Sequence, residues 1–360
     1  MPNYLVPSIS ILAVALSSCM SARQGATEPA STKSSVIEIE TMGDTQTVPL
    51  RVIAETINSL MRKYHYDPSE LAGEAYTKIE SAILLLASQA EGQSQFVDGF
   101  RSLWEYGPFS HVELRVAQSS AAETAAYLDQ MRVGEDAASL EWRGDIAILT
   151  VNTMMGQDTI QAIDHFYDTI RERDAERLII DLRLNGGGAF AMVPLVENAI
   201  DTPLDAGIFV AQAWNAKFDS PPTMEDINEV TPWTGWSIRS FWADAAEDAL
   251  TRIRFEPRSE SYAGPIYVLT SKRTASAAEM AADAFKASGR ATLIGETTAG
   301  EMLSQKMFDV PGGLILSLPI ADYYSTKHGR IEGNGVKPHI EIPAIDALAF
   351  ALCENADHCD

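Results

Sequence analysis

Residues 266–289 read IYVLTSKRTASAAEMAADAFKASG, and three kinds of chain follow one another within them. IYVLT is a short run of β-branched, aromatic and aliphatic residues without polar alternation, as a strand covered on both faces requires. SKRTAS is a turn. From Ala277 small, helix-favouring residues take over, and Gly289 supplies a left-handed stop. A buried strand that turns directly into a helix is the unit of an α/β protein. Ser276 opens that helix as the first member of Ser276-Ala277-Ala278-Glu279, a capping box that would satisfy orphan amides and ask nothing more of the serine. Its placement also suits a nucleophile, because the helix macrodipole favours a developing oxyanion and the Ala277 amide lies at hand.

The same unit recurs along the chain. DIAILTV (145–151), RLIIDLR (177–183), GIFVAQA (207–213), ATLIGE (291–296) and GLILSLPI (313–320) read as strands, preceded by HVELRV after Ser110. Helices are expected near 157–173, 190–200 and 276–288. Directly after RLIIDLR comes Asn185-Gly186-Gly187-Gly188, where glycines let the backbone turn sharply and present free amides to an anion. Before this body, Val52, Ile53, Ile57, Leu60 and Met61, then Leu71, Ile79, Ile83, Leu84 and Leu86, then Phe96, Phe100 and Leu103 recur at helical spacing and predict a small bundle. Residues 214–245 have weak periodicity and hold Trp214, Trp233, Trp236 and Trp242. They suit a lid or apolar cleft wall, or equally an insertion whose tryptophans pack it onto the body.

The 360 residues carry Lys+Arg 27 against Asp+Glu 50, a net charge of −23 that repels phosphate backbones and anionic lipid surfaces. Nucleic acid is therefore excluded as an expected partner. The first residues, MPNYLVPSISILAVALSSC, form an uncharged apolar run too short to span a bilayer, as in a signal peptide. Leu16-Ser17-Ser18-Cys19 is similar to the bacterial lipoprotein cleavage motif, with Cys19 as the lipidated residue; a plain secretory signal with an incidental cysteine is the alternative. Cys353 and Cys359 remain as a disulfide candidate that would tie down the tail. The expected organisation is a signal peptide over 1–18, a lipid-anchored flexible tether over 19–46, a helical bundle over 47–108, a core over 109–348 with an insertion at about 202–262, and a tail over 349–360.

LIIDLRLNGGG, VLTSKRTASAAE with its helix, GRATLIGETTAG and GRIEGNGVKPHIEI follow in that order within residues 110–345. Together they resemble the successive motifs of the tail-specific (C-terminal processing) serine peptidases and the tricorn core domain. The resemblance implies a crotonase/ClpP-like α/β body of β-β-α units with Ser276 as nucleophile. In the commonest branch of that family the base is a lysine at the place held here by Glu301. Lys286 lies ten residues down the nucleophile's own helix, roughly 15 Å away, and Lys272 sits in the turn, which leaves Lys306 as the one lysine in contention.

The other branch, that of tricorn and the bacterial relatives of interphotoreceptor retinoid-binding protein, uses a histidine arriving early as Ser-His. Phe109-Ser110-His111-Val112 matches it. The implied constellation is Ser276 as nucleophile, His111 as general base and then acid, Ser110 and Glu332 in support, and Gly186, Gly187 and Ala277 as the oxyanion hole. Among the other histidines His65, His165, His339 and His358 are poorly placed in sequence, and His328 is the rival. Between His111 and DIAILTV there is no room for the PDZ module of many relatives. The expected function is a serine peptidase, an endopeptidase or a carboxy-terminal processing enzyme, that hydrolyses peptides or unfolded proteins through an acyl-enzyme with no metal or cofactor. The alternatives are an inactive relative binding an apolar ligand or peptide in the same cleft, and a structural envelope lipoprotein. Export across the inner membrane, a periplasmic site and, from Met20 after Cys19, an outer-membrane lipid anchor complete the expectation.

Overall fold

A computed structural model describes residues 48–353. The signal peptide, the tether, Cys19, His358 and Cys359 lie outside the described residues. Four helices come first: α1 (Leu50–Tyr64), α2 (Pro68–Ala72), α3 (Glu74–Gln89) and α4 (Gln93–Trp104). Of their helical-spaced apolar residues, Ile53, Ile57, Met61, Ile83, Phe96 and Phe100 are fully buried, while Val52 and Leu84 are exposed. Asp67 starts α2 by accepting a hydrogen bond from the Ser69 amide at 2.8 Å, with proline at the first helical position.

The body then runs β1 (Glu113–Val116), α5 (Ala121–Gln130), β2 (Ala138–Arg143), β3 (Ile146–Val151), α6 (Gln157–Glu172), β4 (Arg177–Asp181), α7 (Met192–Glu197) and β5 (Leu204–Ala211). It continues through α8 (Gln212–Asn215), α9 (Met224–Glu229), α10 (Ile238–Glu247), β6 (Leu250–Phe255), β7 (Ile266–Thr270), α11 (Ala277–Ser288) and β8 (Ala291–Gly295). The last elements are β9 (Ser304–Val310), β10 (Leu314–Ser325), β11 (Gly329–Arg330), β12 (Ile340–Glu341) and α12 (Ala344–Cys353), where Cys353 is disulfide-bonded.

Two sheets result. In one, ordered β12-β8-β7-β4-β3-β2, all neighbours are parallel except β2, because helical crossovers join the strands. In the other, β1-β10-β5-β6 are neighbours, with β9 and β11 also pairing with β10, all antiparallel. The main core joins one face of the parallel sheet to α6, α7, α11 and part of the antiparallel sheet. Ile148, Ile179, Leu269 and Ile294 on the other face of the parallel sheet pack on α12, so the centres of β3, β4, β7 and β8 are apolar on both faces. Leu314, Leu316 and Leu318 of β10 bury themselves against α1, α3 and α4.

The α/β body is as expected, and its strands divide between two sheets. The segment expected as an insertion at about 202–262 differs: its ends are β5 and β6, both inside the antiparallel sheet, and only the chain between them stands outside it. From Ala277 to Phe285 every residue of α11 is buried. Alanine at most of those positions lets the helix sit close between its neighbours, and this fixes where Ser276 can be.

Candidate active site

The turn that carries Ser276 is held by the turn that follows β4. Asn185 is completely buried and acts as a staple: its Nδ2 donates to the Val151 carbonyl at 3.0 Å, its Oδ1 accepts from the Gly187 amide at 2.9 Å, and its own carbonyl accepts from the Ala275 amide at 3.0 Å. Thr274 Oγ1 donates to the Leu182 carbonyl at 2.8 Å and Ser271 Oγ to that of Arg183 at 2.6 Å. Gly187 has φ +98°, and a Cβ there would lie 2.6 Å from Ser276 Cβ and 2.8 Å from the Ala275 carbonyl, so only glycine fits.

Ser276 itself has φ 56° and ψ −125°, a strained conformation that lifts a nucleophile clear of a strand-to-helix turn. Three non-glycine residues have positive φ among the described residues, and His111 (63°) is another, the third being Asp174. Ser276 is partly exposed and its hydroxyl makes no cap hydrogen bond; the Glu279 amide donates to the Ser276 carbonyl at 2.8 Å.

Glu279 was expected only as a cap, and it does accept from the Ser276 amide at 3.0 Å. It also accepts from the Glu301 amide at 2.9 Å, the Gly300 amide at 2.7 Å and Thr298 Oγ1 at 2.6 Å, two donors on each oxygen. Burial pushes its carboxyl up from the ordinary range, and these donors oppose that shift.

The segment gripped by Glu279 is gripped again, one residue on, by Glu332. Glu332 Oε2 accepts from the Met302 amide at 2.6 Å and the Leu303 amide at 3.2 Å. Its Oε1 accepts from Ser110 Oγ at 3.3 Å, and Ser110 Oγ is 2.7 Å from His111 Nδ1. Gln305 Nε2 donates to the His111 carbonyl at 2.9 Å. No hydrogen bond joins Ser276 to His111 directly; residues 300–305, held between Glu279 and Glu332, tie the two together. With the single hydroxyl proton of Ser110 directed to Glu332, His111 Nδ1 is the donor to Ser110. In that tautomer His111 Nε2 is a proton acceptor, and it makes no hydrogen bond among the described residues.

The predicted oxyanion donors divide. Ala277 opens α11, so its amide has no intrahelical acceptor, and the Gly186 amide makes no hydrogen bond among the described residues. Gly187 is a correction: its amide is spent on Asn185, and its contribution is the close approach of its backbone to Ser276.

The rival bases lie elsewhere. Lys306 Nζ rests 5.4 Å from the ring centre of Phe308 and 6.0 Å from that of Tyr64, facing the helical layer, and burial lowers its affinity for a proton. Lys286 Nζ donates to the Lys337 carbonyl at 2.8 Å, and Lys272 is exposed. His328 Nδ1 is 2.6 Å from Oδ1 of the fully buried Asp283. His339 accepts from the Leu293 amide at 2.9 Å, and His65 is buried behind Phe109. Among the described residues no group of three His, Cys, Asp or Glu side chains is placed to hold a metal ion.

The chain is similar to known proteins in sequence and in fold. A carboxyl-terminal-processing protease of Picosynechococcus sp. is 29% identical over 183 residues, covering 51% of this chain and 36% of that protein. The chain spans less than half the length of the curated relatives it matches. Among solved structures, a putative peptidase from Parabacteroides merdae has a TM-score of 0.59 at 13% identity, covering 87% of this chain and 100% of that one. A photosystem II D1 C-terminal processing protease has a TM-score of 0.56 at 15% identity, covering 86% and 98%. These two are likenesses of fold. The model of Peptidase family S41 matches residues 145–342, more than half of the sequence and the whole stretch from β3 to the end of the RIEGNG motif and beyond, and the chain belongs to that family.

Proposed function

We propose that the protein is a serine peptidase in which Ser276 attacks the scissile carbonyl and His111 takes its proton. The observation that carries this reading is the ordered relay from Glu332 through Ser110 to His111 Nδ1, which leaves Nε2 free to act as the base. As Ser276 Oγ bonds to the carbonyl carbon, its proton passes to His111 Nε2, and the amides of Ala277 and Gly186 stabilise the resulting oxyanion. His111 then returns the proton to the leaving amine as the C–N bond breaks. A water molecule, deprotonated by the same nitrogen, releases the acyl group. Ser110 and Glu332 hold the imidazole in the working tautomer and offset its charge in the transition state.

The relatives' names, carboxyl-terminal-processing proteases, support peptides or unfolded proteins as substrates. The signal-like N-terminus ending at Cys19 supports export and lipid anchoring at an outer membrane, with the peptidase in the periplasm. Incubation with an unfolded protein such as casein, with fluorophosphonate labelling in parallel, tests the proposal. Wild type should cleave and label, and Ser276→Ala should do neither. Labelling that persists in Ser276→Ala would place the nucleophile elsewhere, and an unlabelled wild type would favour the inactive, ligand-binding alternative.

A further inference from the structure

The tryptophan-rich chain between β5 and β6 meets Phe190, just beyond the glycine turn. Phe190 follows Gly188 by two residues, and the amides on either side of it, Ala189 and Ala191, both donate to the Met154 carbonyl, at 3.1 Å and 3.2 Å. Its ring stacks on Trp233 with centres 5.5 Å apart and meets Trp236 edge-on at 6.3 Å. Trp233 is fixed in turn, its indole N–H donating to Asp244 Oδ2 at 2.9 Å and its amide to the Arg252 carbonyl at 2.9 Å. Next to Trp236, Ser237 Oγ donates to Asp129 Oδ2 at 2.7 Å.

Trp236 is therefore flanked by a fixed Ser237 and meets Phe190 edge-on, yet remains 49% exposed, and Leu184, immediately before the turn on the other side, is 60% exposed. Large apolar side chains exposed to water on either side of the glycine turn carry a hydration cost that a covering group would relieve. In the peptidase reading, a polypeptide whose carbonyl sits on the Gly186 and Ala277 amides lies beside the glycine turn that leads into Phe190.

We propose that Phe190 and Trp236 form a side-chain subsite that takes a large apolar or aromatic residue of the substrate, next to the scissile bond. This rests on the peptidase reading for the position of the peptide, and deepens it by naming what the peptide must carry. Recognition is by apolar burial and ring stacking, so charge at that substrate position is disfavoured and a small residue leaves the surface uncovered.

The test separates binding from chemistry. In the full chain carrying Ser276→Ala, affinities are measured for blocked alanine-based peptides in which one residue on either side of the central bond is phenylalanine, alanine or glutamate. The phenylalanine peptide should bind about tenfold tighter than the alanine one in at least one position, and the glutamate peptide weakest. Adding Trp236→Ala should reduce the phenylalanine preference to less than threefold. Phe218→Ala, in the same segment but packed on Trp214 away from Phe190, should leave it intact. Equal affinities for the three peptides in the parent would overturn the subsite without recourse to any variant, and so would a preference that survives in a folded Trp236→Ala protein. Neither result depends on whether Ser276 reacts with a fluorophosphonate, so failure of the subsite and failure of the peptidase reading are distinguishable.

Discussion

The half of the site that holds Ser276 and the half that holds His111 are built in opposite ways. Ser276 sits between two turns at the ends of neighbouring parallel strands, and backbone groups, one buried asparagine and one buried glutamate determine its place several times over. His111 lies ahead of β1, and the Ser110–Glu332 contact that orients it spans 222 residues of sequence and is exposed. The comparison teaches that precision is concentrated where the nucleophile and the oxyanion amides must keep a strained geometry. The proposed base is positioned by exposed side-chain contacts. Residues 300–305 couple the halves through Glu279 and Glu332.

Removing the base breaks the comparison most severely. His111→Ala should lower kcat/KM for peptide hydrolysis about a thousandfold, with the circular dichroism spectrum unchanged, because no other described group takes over the free Nε2. A smaller effect concerns the foundation of that half. His65 packs 4.0 Å from the Phe109 ring, and burial lowers its pKa from 6.5 to about 4, partly offset by the Asp67 carbonyl and carboxylate. The folded protein thus favours neutral His65. The stability this confers is complete above pH 6.5 and is lost as pH falls toward 4, by about 3 kcal/mol at about 1.4 kcal/mol per pH unit. Urea denaturation of wild type and His65→Phe at pH 7.5 and 4.5 should show the loss on acidification in wild type and largely remove it in the variant.

Gly187→Ala should strike the other half. Its Cβ would collide with Ser276 and backbone that cannot yield, and kcat should fall about a hundredfold with a smaller change in KM. Glu332→Gln should cost only about tenfold in kcat/KM, because a supporting carboxylate acts through Ser110 and the imidazole. If Glu332→Gln proved as damaging as His111→Ala, the two halves would not differ in the way described.

Much of this was legible in the sequence, and unevenly. The strand, turn and helix over 266–289 and the glycine turn are local patterns, and local periodicity and turn chemistry suffice to read them; the Ser-His pair stood out through the resemblance to the tricorn branch. The strands β2, β6 and β9 were not read, since ASLEWR, LTRIRF and SQKMFDV mix charged and polar residues into edge or half-exposed positions. The S-x-x-E pattern announced that Glu279 would cap α11, but nothing in it reveals that both oxygens also hold residues 298–301, a contact made only once β8 has returned the chain. The glycines marked a tight turn correctly, yet which amide stays free depends on where the neighbouring asparagine folds back. The pairing of His328 with Asp283 was equally invisible, because it joins a hairpin to the buried face of α11.

The identity of the base is the central claim, and the second-order rate of fluorophosphonate labelling at Ser276 reads it most directly. His111→Ala should slow labelling by a hundredfold or more while Lys306→Ala stays within twofold of wild type. Fast labelling in the histidine variant together with silence in the lysine variant would contradict the account.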